Sequence, residues 1–195
     1  MTKIVFLWIL LTSLSASALG QIDTIFINLG SHTEFFDKVQ SDSSGGTRKF
    51  DFAPTLGAGL KLNMTEQWLF LPEFNWVLPQ KAGSDRIIKN TFMFRADFGY
   101  SVLEWMRLRA GTSLLWQNQH GRGGSTNISN GNETSKFYYP DENRSSLNNT
   151  LDFGAEALWD EWAVRLQTYI YSVFMKEKRQ VSYTLFFTYY WDHKQ

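Results

Sequence analysis

The sequence contains no cysteine, so neither a disulfide framework nor a thiolate metal site is available to it. It has no excess of either charge. Its 19 basic and 19 acidic residues cancel, which argues against a general binder of nucleic acid or of anionic surfaces. Beyond residue 20 no stretch approaches the eighteen or so unbroken apolar residues of a membrane-spanning helix. The three histidines, His32, His120 and His193, belong to no HExxH or GxSxG motif and to no His/carboxylate pair with metal spacing. No cofactor is therefore expected. Prolines are also few, at four. What the chain has in quantity is aromatic side chains, 16% of the residues, and these need an apolar environment.

Residues 1–20 read as an export signal. Lys3 provides the positive start, Ile4 to Leu14 the apolar core, and Ala18-Leu19-Gly20 a small-residue cleavage site. That core is too short to cross a bilayer. Residues 21–195 then form one domain of an exported protein.

Over most of that domain apolar residues recur with period two. From Phe92 to Val102 the positions Phe92, Phe94, Ala96, Phe98, Tyr100 and Val102 share one face of a strand. Thr91, Met93, Arg95, Asp97, Gly99 and Ser101 share the other. The same reading along the chain predicts eight strands, at about 23–36, 49–62, 68–79, 88–102, 106–119, 146–158, 163–175 and 180–191. Tight connections near 63–67, 103–105 and 159–162 alternate with longer polar ones near 37–48, 80–87 and 120–145, and with a short charged one near 176–179. This is an antiparallel up-and-down meander. Pro54 and Pro72 fall inside strands, where they cannot donate to a ladder, so bulges or displaced strand ends are expected there.

Such a meander closes either as a soluble calyx with its apolar face inward or as a membrane barrel with that face outward. An eight-stranded barrel has an interior just wide enough for side chains to fill it. The bulky apolar set, including Phe50, Phe52, Phe70, Phe74, Trp76, Phe92, Phe94, Phe98, Phe153 and Phe187, is too large for that space. The other face is small or charged. It carries Glu34, Asp51, Glu73, Asp97, Asp152 and Glu156 against Lys61, Arg95, Arg107, Arg109 and Arg165. The balance of sign and the preference for arginine suit enclosed, bidentate pairing. The predicted arrangement is charges inward and apolar side chains outward.

Tryptophans mark the edges of the apolar band. Trp68, Trp105, Trp159, Trp162 and Trp191 lie at the tight-turn end, and Trp76 and Trp116 lie toward the loop end. Indole prefers the boundary between hydrocarbon and water. Eight to eleven residues of tilted strand separate the two rows, on the order of 20–28 Å, close to the apolar height of an outer-membrane barrel.

The leader, the eight alternating segments, the short turns against long loops and the aromatic last strand VSYTLFFTYYW (Val181 to Trp191) resemble the small outer-membrane β-barrels of the OmpA/OmpX type. The resemblance covers the whole of residues 21–195. It implies an all-β, eight-stranded antiparallel transmembrane barrel in a Gram-negative outer membrane. It also implies insertion by the barrel-assembly machinery and contact with outer-membrane lipid and lipopolysaccharide.

Within the long connection, Gly121 to Gly124 reads as flexible loop, and the aromatic run Phe137, Tyr138, Tyr139 is a contact patch for an extracellular ligand or a pad against the rim. The leading functional expectation is a non-enzymatic barrel with a closed, ion-paired lumen and a structural or surface-interaction role. A narrow ion or small-solute channel, a lipid A-modifying enzyme using His120 and a soluble lipocalin-like binder are the alternatives.

Overall fold

The computed structural model describes residues 24–33, 52–81, 87–129, 131, 134–139, 141–174 and 179–192. Residues 1–20, where the export signal is expected, and Glu34, Phe50 and Asp51 lie outside them. Among the described residues ten strands occur in chain order: β1 Thr24–Thr33, β2 Phe52–Asn63, β3 Trp68–Lys81, β4 Ile87–Leu103, β5 Met106–Gly121, β6 Ser125–Ser129, β7 Thr134–Tyr138, β8 Asn143–Trp159, β9 Trp162–Tyr171 and β10 Gln180–Asp192. Eight of them close into a barrel in the order β1-β10-β9-β8-β5-β4-β3-β2, all antiparallel. The period-two pattern thus placed each barrel strand within a few residues.

The registers determine the shape of the cylinder. Paired residues lead around it as Phe26–Gly59–Glu73–Arg95–Ser113–Thr150–Tyr171–Gln180. Phe26 itself faces Tyr190, ten residues along β10 from Gln180. A stagger of ten on eight strands requires a strand tilt of about 40–45° and leaves a radius of about 8 Å. Such a lumen admits backbone contact only where side chains are small. A Cβ added at Gly111 would stand 2.6 Å from the Asp97 Cα, and one at Gly57 would stand 2.7 Å from the Phe74 carbonyl oxygen.

The bulges expected at the prolines are not there. The β1–β2 register passes Pro54 unshifted, and the β3–β4 register passes Pro72 unshifted. The missing N–H is accommodated by leaving ladder rungs unmade. The β2–β3 ladder begins at Thr55, just after Pro54, and skips the rungs opposite Leu71 and Pro72 between its Gly59–Glu73 and Leu62–Phe70 pairs. Register shifts lie instead at Val77/Gln80 and Ser101/Leu103, near strand ends.

Two further corrections concern the loop end. β9 stops at Tyr171 rather than 175, followed by Ser172 at a φ of 48°. The long connection is not simply flexible loop. It contains the β6–β7 hairpin, a separate two-stranded sheet. Gly123 and Gly124 take positive φ at its base, and the Tyr139 N–H donates to the Gly124 carbonyl at 2.9 Å.

Candidate functional site

Alternation along each strand sorts the side chains into a lumen and an exterior, and the lumen holds the charges. Glu73, Asp97, Asp152 and Glu156 face Arg95, Arg107, Arg109 and Arg165, and none of the eight is more than 6% exposed. Four carboxylates meet four guanidiniums, so the buried charge cancels, as enclosed ions require.

Glu73, from the middle of β3, is the hub. Arg165 reaches it from β9 with both terminal nitrogens at 2.7 Å, a bidentate fork. Arg95 donates to it at 2.9 Å, Arg109 at 3.4 Å and Asn75 at 2.6 Å. Arg95 also bonds Asp97 at 2.5 Å and lies 3.6 Å from Asp152. A second centre forms on Glu156, which receives Arg107 at 3.0 Å and Arg109 at 3.2 Å through two nitrogens. The Tyr190 hydroxyl donates to Glu156 at 2.6 Å and accepts from Arg107 and Arg109. Each guanidinium also lies over a ring: Arg165 on Phe186, Arg95 on Tyr169, Arg107 on Tyr190 and Arg109 on Phe26.

Of the eleven charged residues expected on the inner face, the structure brings these eight together. Glu34 and Asp51 lie outside the described residues. Lys61, half-buried at the turn-side mouth, lines an open cleft shared with Asn63, Leu69, Ser101 and Arg107.

Sequence reasoning missed the two apolar layers that close the lumen. On the loop side Ala53, Val77, Met93, Leu115, Tyr169 and Tyr171 pack above the ions. On the turn side Phe26, Leu69, Leu71, Ala163 and Tyr190 pack below them. Parity was their signal outside β3, where Leu69, Leu71 and Val77 stand among residues apolar on both faces.

The exterior is inverted relative to a soluble protein. Ile27, Leu29, Phe94, Phe153, Leu166 and Phe187 are 46–58% exposed. At the turn end an exposed ring of Trp68, Trp105, Trp159, Trp162 and Trp191 surrounds the barrel. Trp68 packs on Tyr100 at 4.9 Å, and Trp162 on Tyr189 at 4.8 Å. Tyr189 donates to Glu161 at 2.8 Å, and Asp160 takes a positive φ in the Trp159–Trp162 hairpin. Toward the loops, Trp76, Phe92 and Trp116 form a row of rings 5.6–6.3 Å apart.

At the loop end Tyr138 is exposed and lies under the Lys136 ammonium at 5.2 Å. Phe137 occupies the neighbouring β7 position opposite Thr126, and Tyr139 is half-buried at the hairpin base. His120, on the outer face of β5, bonds the Asn143 side chain across the strand pair. Among the described residues no group of three or more His, Cys, Asp or Glu is placed to hold a metal ion.

No family model matches the sequence, and no curated protein does. Solved structures do match in fold. The attachment invasion locus protein Ail of Yersinia pestis aligns with a TM-score of 0.50 at 12% identity, over 88% of this chain and 100% of that one. Neisserial surface protein A aligns at 0.47 and 11% identity, over 88% and 97%. The N-terminal barrel domain of Pseudomonas aeruginosa OprF aligns at 0.42 and 12%, over 87% and 98%. At such identities the likeness concerns fold alone. The chain is a closed eight-stranded antiparallel barrel of the kind found in small outer-membrane proteins.

Proposed function

We propose that this chain is a non-enzymatic integral protein of a Gram-negative outer membrane, with residues 1–20 as its export signal. Its lumen is a structural core, and its loop-side surface is the part that meets other molecules. The observation that carries the reading is the inversion of polarity: buried ion pairs on the axis and exposed Phe, Leu and Ile on the outside. A soluble calyx has the opposite arrangement, because a wide, continuous apolar surface in water drives association. In a bilayer the same surface is matched to its solvent, and closure of the eight strands leaves no open sheet edge in the hydrocarbon.

The apolar layers above and below the ions favour a closed lumen over a channel. An ion crossing it would have to displace Tyr169 and Met93 on one side and Phe26 and Leu71 on the other. The role is therefore structural or surface-interacting, with the β6–β7 hairpin and its exposed Tyr138 offered to an extracellular ligand. Biogenesis uses the barrel-assembly machinery. The chain refolded into phospholipid vesicles is expected to stay with the lipid through high-salt and carbonate washes, and to give no conductance in planar bilayers. Recovery as a detergent-free soluble monomer overturns the membrane reading. Steady single-channel currents overturn the closed lumen while leaving the membrane reading intact.

A further inference from the structure

Strands β4, β5 and β8 continue past the upper aromatic row, and their outward residues change character there. Beyond Phe92 and Trp116 the next outward positions are Asn90 and Ile88 on β4, Asn118 and His120 on β5, and Ser145 and Asn143 on β8. The registers make them neighbours: Asn90 faces Asn118, Asn118 faces Ser145, and His120 faces Asn143, with no shift in either ladder over these positions. From Trp116 to Gly121 the wall rises about 12 Å along the axis. None of these positions holds Lys, Arg, Asp or Glu. Lys89 and Arg144 alternate onto the opposite face of the same strands, and the exposed Arg122 follows the end of β5.

Such a patch has a specific chemistry. Amide and hydroxyl side chains both donate and accept, whereas phosphate recognition calls for Arg or Lys. Trp116 stands at its lower edge, 43% exposed, with its indole N–H tied to the Ser145 hydroxyl at 2.7 Å. Asn90 Oδ1, and the indole nitrogen of Trp76 in the same aromatic row, are shielded from water yet make no hydrogen bond within the chain.

We propose that this outward patch binds the sugar portion of lipopolysaccharide in the surrounding leaflet, the amino-sugar backbone and inner core rather than the phosphates. The proposal rests on the outer-membrane reading. The patch continues the apolar wall directly, so a ligand whose acyl chains lie against Phe92, Leu114 and Leu147 presents its sugars at this height. A sugar offers hydroxyl and amide edges to the Asn and Ser side chains and an apolar C–H face to indole. A soluble glycan has no such reason to prefer the lipid-facing wall.

The test uses the refolded protein in detergent, titrated with rough lipopolysaccharide that carries only lipid A and inner core, with retained ligand counted by native mass spectrometry. The triple variant Asn90→Ala/Asn118→Ala/Ser145→Ala is expected to bind about tenfold more weakly, from the loss of two or three hydrogen bonds. The lumen-parity control Gln117→Ala/Gln119→Ala is expected to bind as the unmodified chain does. Raising NaCl from about 0.1 to 0.5 M should change the affinity less than about threefold, because the contacts are neutral. Unheated gel mobility checks folding, and if the triple variant fails it, Asn118→Ala alone should weaken binding about threefold. Wild-type affinity in the folded variant, equal loss in the control, or collapse of binding in salt overturns the proposal. So does competition by lipid-free core oligosaccharide as strong as that of intact lipopolysaccharide. Insertion of the unmodified chain into vesicles free of lipopolysaccharide tests the outer-membrane reading separately.

Discussion

Glu73→Ala is the most informative single substitution. The side chain accepts five hydrogen bonds, four of them from three different arginines and one from Asn75. Removing it leaves three carboxylates against four guanidiniums in a fully enclosed lumen, with both terminal nitrogens of Arg165 deprived of their partner. Breaking a buried pair from one side costs about 3–5 kcal/mol, against about 0–1 kcal/mol for a pair in water. The unfolding midpoint in urea, followed by tryptophan fluorescence in detergent or lipid under reversible conditions, should therefore report a loss of about 3–5 kcal/mol. The double variant Glu73→Gln/Arg165→Met restores three against three and keeps the volume near its original value. It should be less destabilised than Glu73→Ala alone, because the dominant cost is the uncompensated cation. A Glu73→Ala loss below about 1 kcal/mol, or a double variant worse than Glu73→Ala, would refute the reasoning.

Other substitutions probe the remaining features. Tyr190→Phe removes a hydroxyl that donates to Glu156 and accepts from two arginines, and should cost about 1–3 kcal/mol in the same urea assay with the fold retained. Leu166→Arg places a charge on the exterior four residues above Trp162, near the middle of the apolar band. It should cost about 2–4 kcal/mol in lipid vesicles, whereas on a water-facing surface the change would stay within about 0.5 kcal/mol. Trp159→Ala and Trp162→Ala remove facing members of the turn-side ring and should slow insertion into vesicles, read as the half-time of the gel-mobility shift.

The strand count, the order around the meander and the inside–outside assignment were legible because period two is an unambiguous signal over long segments such as β4. The ionic centre was legible for the same reason. Glu73, Arg95, Arg109, Asp152 and Arg165 interrupt otherwise small or apolar inward rows. The apolar layers were not, because β3 reads LFLPEFNWVL and is apolar on both parities at its two ends. There, alternation cannot distinguish a lumen plug from a lipid contact. Pro54 and Pro72 misled because a proline is expected to bend a ladder, and here unmade rungs absorb it. The β6–β7 hairpin escaped notice because STNIS and TSKFY are short and mostly polar, with no period long enough to read. Tyr190 was read as part of an aromatic last strand, without the parity count that turns it inward beside Glu156.

The inversion of polarity can be tested most directly with a spin label on Phe94→Cys, the chain having no other cysteine, in phospholipid vesicles. Trp105→Cys serves as the reference at the girdle. Collisions of the label at position 94 should be frequent with dissolved oxygen and rare with a water-soluble nickel chelate, and position 105 should be intermediate. A label at 94 that meets the chelate more readily than oxygen would place this face in water and contradict the membrane assignment.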